Sequence, residues 1–222
     1  MLIKNKIILS IISIFISLLC AFYVAAEELD ISASEVIFEK DKKLMIATGS
    51  VIIIDSQGNK IKTEKAKYDK IKNEVTTYNK TQISFKNGYE ITSSKIIYDN
   101  ENKLIFSNEL SNIIDTDGNL ISVNMFEYLI EKNLFSSKGK IKIIDINKNK
   151  YFFEEMYIDT KNKKIIGSDI RASFVSEDIG GLSNENEPRL AANSAFISEE
   201  KSEFNKGIFT TCKKKGEKCP LI

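Results

Sequence analysis

The chain has 222 residues, of which 42% are hydrophobic and 28% charged, enough apolar content for one large folded domain or two small ones. Its 32 Lys and Arg offset 31 Asp and Glu to leave a net charge of +1, so nothing indicates a nucleic-acid partner or a polybasic membrane patch. His is absent, which removes the commonest general base and metal ligand near neutral pH, and the carboxylates show no isolated pair at a special spacing; the chain does not read as an enzyme, and no catalytic residue, metal or cofactor is expected.

Lys4 and Lys6 precede an apolar run from Ile7 to Val24, and Val24-Ala25-Ala26 places small residues before Glu27. Residues 1–26 therefore read as an export signal cleaved after Ala26. An uncleaved membrane anchor is the competing reading, because the run approaches the ~20 residues that span a bilayer. Cys20 is discounted as a lipoprotein cysteine, since Leu19 stands where such signals carry a small residue. Export would bring Cys212 and Cys219 into an oxidising compartment, and their spacing fits no common zinc pattern without His or further Cys. A disulfide role is expected for both.

Residues 27–175 keep a thirty-residue period without insertions. Phe38, Tyr68, Tyr98, Tyr128 and Ile158 mark it, as do Val36, Ala66, Ile96, Phe126 and Met156, and Ile31, Ile61, Ile91, Ile121 and Tyr151. Further on come Met45, Val75, Ile105, Phe135 and Ile165, then Ile53, Ile83, Ile113 and Ile143. Gly58, Gly88 and Gly118 recur in "SQGN", "KNGY" and "TDGN", which suit tight hairpins needing positive φ, and "INKN" replaces them in the last copy. A second polar turn lies midway through each copy, at "EKDKKL", "DKIKNE", "DNENKL", "EKNLF" and "DTKNKK". Two turns per copy imply two antiparallel strands per copy, roughly ten in all.

Apolar residues alternate within each strand, the period-2 signature of a sheet with one dry and one wet face. The parity slips by one at Ser34-Glu35, Glu64-Lys65, Ser94-Lys95, Asn124-Met125 and Glu154-Glu155. A strand that slips while keeping its apolar side inward must bulge or bend there. Aligned bends predict an all-β fold: an antiparallel repeat sheet folded over on itself, as a β-jelly-roll with two facing sheets or a V-shaped trough about 45 Å long. Its inner wall carries Ile53, Ile83, Phe85, Ile113, Ile143, Tyr98 and Tyr128, with the smaller Ala47, Thr77, Ser107, Ser137 and Gly167 between them. Periodicity alone leaves open whether this wall lines a cavity or forms the filled core of a sandwich or solenoid.

In residues 176–222 the period stops. Ser176 to Glu187 reads as a loop, followed by a short strand or hairpin across "RLAANSAFISEEKSEFNKGIFTTC". The β repeats together with "NEPRLAANSAFI" and "NKGIFTTCKKKGEKCP" resemble the N-terminal periplasmic part of the LptD family of outer-membrane lipopolysaccharide-assembly proteins, whereas the repeats alone resemble the whole LptA/LptC/OstA-like group. The resemblance implies a periplasmic domain of the Gram-negative outer membrane that takes lipopolysaccharide acyl chains in its trough. Ile53, Ile61, Tyr68, Ile83, Phe85, Ile91, Tyr98, Ile113, Ile121, Tyr128 and Ile143 would then touch lipid. It further implies an LptA-type bridge protein pairing with the first strand, near Leu29 to Phe38, an outer-membrane lipoprotein partner, and disulfides of Cys212 and Cys219 that in some members reach the barrel. LptD members continue into a large barrel after the second cysteine, whereas this sequence stops at Leu221-Ile222, so 176–222 reads as a linker and the start of a junction to a missing barrel. A stand-alone carrier of the LptA or LptC type, or a structural β-repeat protein without ligand, are the other readings.

Overall fold

A computed structural model of the chain describes residues 29–176 and 186–212. The expected export signal, Cys20, Cys219 and most of the expected loop lie outside the described residues, and with them the disulfide pairing.

The described chain is all-β and antiparallel. In chain order its strands are β1 (Asp30–Ser32), β2 (Glu35–Glu39), β3 (Leu44–Ile54), β4 (Lys60–Asp69), β5 (Glu74–Tyr78), β6 (Thr81–Ser84), β7 (Glu90–Ser93), β8 (Ile97–Asp99) and β9 (Leu104–Ser107). They continue with β10 (Ser111–Ile114), β11 (Leu120–Val123), β12 (Phe126–Leu129), β13 (Leu134–Ile144), β14 (Lys150–Asp159), β15 (Lys164–Ser173), β16 (Arg189–Ile197), β17 (Ser202–Asn205) and β18 (Ile208–Thr210). Many of these are halves of one longer strand. Both β1 and β2 pair with β3, both β5 and β6 with β4, and β7 and β8 pair with β6 and β5 respectively. The whole is one meander of long strands, each bent at its middle.

The bends fall where the alternation of apolar residues slips. Thr48 and Val51 pair with Lys65 and Thr63, so Gly49 and Ser50 face the single Glu64. The same happens where Lys138 and Ile141 pair with Glu155 and Phe153. An extra residue on one strand twists and bends it, and positive φ at Gly49 (75°), Ser50 (51°) and Gly139 (90°) makes room for it. A Cβ on Gly49 would also come within 2.9 Å of the Ser34 side chain.

The distal turns close as their composition suggests. Gly58, Gly88 and Gly118 have φ of 85°, 93° and 86°, and in "INKN" Lys148 takes the same region at 69°. In three of these turns an Asp caps the loop: Asn59, Asn119 and Asn149 donate their backbone N–H to Asp55, Asp115 and Asp145 Oδ1 at 2.8 Å each.

The tail segment, expected as a linker with a short hairpin, adds strands to the same sheet. β16 pairs along β15 from Ser173↔Arg189 to Ile165↔Ile197, and β17 and β18 pair with β16. Periodicity could not foresee this, because these strands repeat none of the earlier spacing.

Candidate functional site in the interior of the folded sheet

Cross-strand pairing converts the thirty-residue period into continuous rows of side chains. One row runs through every long strand: Ile31, Ile53, Ile61, Ile83, Ile91, Ile113, Ile121, Ile143, Tyr151, Ala172, Leu190 and Phe209 are successive register partners. On the other half of the bent sheet a second row joins Phe38, Met45, Tyr68, Val75, Tyr98, Ile105, Tyr128, Phe135, Ile158, Ile165 and Ile197. Neighbours in such a row are ~4.8 Å apart, so each row is an unbroken apolar strip.

Nearly all the residues expected to touch lipid belong to these two rows; Phe85 stands at the turn end of β6. Ile53 and Ile83 are 0% exposed, Ile61, Ile91, Ile113 and Ile121 at most 3%, and Tyr98, Tyr128, Phe85 and Ile143 at most 7%, whereas Tyr68 is half-buried. The two rows face one another within one core cluster. Phe85 meets Tyr128 edge-on at 5.0 Å between ring centroids. A gap between the sheets here, walled by Phe85, Tyr89, Ile91, Ile113, Ile121, Tyr128, Phe135, Ile158 and Thr160, has a volume of only about 10 Å³, about the room one water molecule needs. In this conformation the middle of the trough is filled by its own side chains, each buried Ile contributing roughly 2 kcal/mol.

The ends are different. The inward partners on the first long strand, Val36 and Phe38, are 39% and 56% exposed, and those on the last, Phe204 and Phe209, are 36% and 50% exposed. Among the described residues neither edge has a further strand beside it, so there the apolar interior reaches solvent at both edges of the sheet.

A set of polar groups along the mouth of the fold escaped the sequence reading. The Tyr98 hydroxyl lies 3.3 Å from Asp55 Oδ2 and 3.1 Å from Asn100 Oδ1. Asn87 Nδ2 donates to the Tyr128 hydroxyl at 3.3 Å, and Lys163 Nζ donates to both Asp117 oxygens at 2.9 and 3.2 Å. Asp55, Asn87 and Asp117 lie in one row of turns, with Asn100 and Lys163 in the opposite row, so these contacts tie the two lips together. Asn59 and Asn119 also accept from the backbone N–H of Lys86 and Ile146, joining turns along one lip. The signal was available: Asp-x3-Asn recurs at Asp55, Asp115 and Asp145, with Phe85-x3-Tyr89 as its one apolar substitute among the four.

Burial, chiefly, and then the nearby Asp115 push the Tyr89 hydroxyl up to about 12. Its ordinary value is 10.0. The unfolded chain therefore releases this proton first, and stability supplied by the neutral phenol is lost as pH climbs from about 10 towards about 12. Tyr89→Phe should lose less stability than the parent across that window, measured by denaturant melts; equal pH slopes for both would contradict the assignment.

The tail brings its two distinctive stretches together. Arg189 is 8% exposed and donates to the Cys212 carbonyl at 3.2 Å and the Glu187 carbonyl at 3.4 Å, while the Glu187 N–H donates to the Thr211 carbonyl at 3.2 Å. Thus "NEPR" and "TTC" lie side by side.

No family model matches the chain. No curated protein matches it. Among solved structures the chain is similar to LptH from Pseudomonas aeruginosa, described as the LptA homologous periplasmic component of the conserved lipopolysaccharide transport device, at 13% identity and a TM-score of 0.28, covering 64% of this chain and 82% of that one. A likeness at that level carries no weight for function.

Proposed function

We propose that this protein is a lipid conduit that carries lipopolysaccharide acyl chains through the periplasm to the outer membrane, as the N-terminal domain of an LptD-type assembly protein. The observation that carries the reading is the pair of apolar rows that run without a polar interruption until both ends of the sheet, where Phe38 and Phe209 meet solvent. A lipid in transit must keep its methylenes covered, at about 0.8 kcal/mol each. An interior of even character from end to end offers no energetic step to stop it, and it asks for no catalytic group.

The LptD assignment, as against a stand-alone carrier of the LptA or LptC kind, is supported by the tail, whose "NEPR" and "TTC" stretches resemble LptD and are joined through Arg189 and Cys212. In this reading the edge of β1 and β2, unpaired among the described residues, accepts a strand from an LptA-type bridge protein, and the other edge leads towards the barrel and its lipoprotein partner. Cys212 and Cys219 would lock that junction by disulfide bonding.

A ligand-free repeat scaffold is the second reading, favoured by the filled centre with its gap of about 10 Å³. Photocrosslinking from inside and outside separates the two. A photoreactive phenylalanine at Phe38, Ile143 or Phe204 is expected to label lipopolysaccharide in cells, and one at the outward-facing Ile37, itself 49% exposed, is not. Labelling from none of the inward positions would leave the scaffold.

A further inference from the structure

If acyl chains use a trough whose middle is filled, the two sheets must part somewhere along their length. The contacts across the mouth are unequal. Tyr98 and Tyr128, which meet Asp55 and Asn87, are 1% and 4% exposed. The Lys163–Asp117 pair, at 2.9 Å, is open to solvent, with side chains 39% and 53% exposed, and Lys163 also reaches Glu199 at 3.3 Å. An exposed ion pair contributes little and is screened by salt, so the mouth parts more easily here than beside either tyrosine.

Next to that ion pair the surface opens into a cavity of about 120 Å³. Its rim is Tyr89, Asp115, Asp117, Asn119 and Lys163, and its floor is Ile121, Ile143, Ile158 and Ile165. Ile121 and Ile158 also wall the narrow gap in the filled centre, so the cavity adjoins the core across these two side chains. It is about twelve times the volume of the gap in the filled centre, room enough for the end of a hydrocarbon chain. Asp117 and Glu199 both pair with Lys163, and Asp115 adds a third carboxylate to the lining, so the acidic rim disfavours a phosphate and keeps an anionic headgroup outside.

We propose that this cavity is a lateral port through which an acyl chain enters the trough sideways, and that the Lys163–Asp117 pair is the latch that closes it. The proposal rests on the conduit reading, which it deepens by naming an entrance distinct from the two sheet edges. Tyr89 has a part in it: at this turn alone the apolar Phe85-x3-Tyr89 replaces the Asp-x3-Asn pair of the neighbouring copies, and it gives the port an aromatic wall.

The test bridges the lips. In the full chain carrying Cys20→Ser, Cys212→Ser and Cys219→Ser, the substitutions Asp117→Cys and Lys163→Cys are joined with a short bis-maleimide. The reference is the same protein capped with N-ethylmaleimide, which adds bulk without a bridge. Loading is followed by the anisotropy of fluorescent rough lipopolysaccharide, and folding by circular dichroism. Because only the open fraction loads, the bridged protein is expected to load about tenfold or more slowly than the capped one at equal Tm. Lys163→Glu, which turns the latch repulsive, should load several-fold faster than the parent, and the parent itself should load faster as salt rises. Equal loading by bridged and capped proteins overturns the port while leaving the conduit standing. Failure of the unsubstituted protein to load overturns the conduit, and the port with it.

Discussion

Ile113→Glu is expected to unfold the domain or lower its Tm by about 10–15 °C, whereas Phe38→Glu should leave the Tm nearly unchanged and abolish lipid loading. The two side chains belong to inward-facing rows, but Ile113 is 2% exposed between Ile91 and Ile121, and Phe38 is 56% exposed at the sheet edge. A carboxylate at position 113 would have apolar register neighbours on both sides, and an uncompensated buried charge costs about 3–5 kcal/mol. That is a large share of the ~5–15 kcal/mol holding a typical domain together, and in a chain of this size each kcal/mol moves the Tm by about 2–4 °C. The loss should also depend on pH. A carboxyl buried this way has a folded pKa above its unfolded one, so its penalty is greatest above the folded value and shrinks as pH falls below it. At position 38 the new carboxylate stays hydrated and faces Lys70, whose Nζ lies 5.3 Å from the Phe38 ring centroid. Stability is spared while a charge stands at the apolar entrance. Thermal melts paired with lipid-loading assays separate the outcomes: a folded Ile113→Glu that merely fails to load would mean the centre is open, and a Phe38→Glu that loads normally would remove the edge from the path.

The inner rows are legible in the amino-acid sequence, and the distance between them is not. The period placed Ile53, Ile83, Ile113 and Ile143 on one inner row, and pairing puts them there because the side-chain period of two and the two-turn repeat together leave one register in which every strand keeps its apolar face inward. The parity slips placed the bends for the same reason. What periodicity does not carry is distance across the fold, since the sheets approach to an extent decided by side-chain volumes from different repeats. Phe85 and Tyr128 are 43 positions apart, no multiple of thirty, and their contact belongs to the closed mouth. Lys163 and Asp117 likewise sit at unrelated places in the repeat. Each looked like one more solvated charge until the bend brought the two rows of turns together.

Volume matching along the bend leads to the second large effect. At the apex, positions 63, 93, 123 and 153 carry Thr, Ser, Val and Phe, while 77, 107, 137 and 167 carry Thr, Ser, Ser and Gly. In the early copies the small hydroxyls bond one another: Thr81 Oγ1 donates to Thr77 Oγ1 at 2.8 Å and lies 3.1 Å from Thr63 Oγ1, and the hydroxyls of Ser93 and Ser107 are 3.1 Å apart. In the last copy one ring replaces the network. Phe153 is 3% exposed and lies over Gly167, where an added Cβ would overlap Phe153 Cδ1, approach Cε1 to 2.8 Å and stand 3.1 Å from the Glu155 carbonyl oxygen. Gly167 is thus required by contact, for the space its missing side chain leaves. Gly167→Ala should cost about 1–3 kcal/mol by overpacking. Phe153→Leu alone should also destabilise, by leaving space under the strand. Combined, the smaller side chain should absorb much of the new methyl, and the pair should lose less stability than the sum of the single losses by about 1 kcal/mol or more. The Glu155 carbonyl keeps the recovery partial, because backbone cannot move aside as a ring can. Denaturant melts of the four proteins decide the matter: strictly additive losses would mean that the ring does not rest on the glycine, and that the apex of the last copy is held by some other contact.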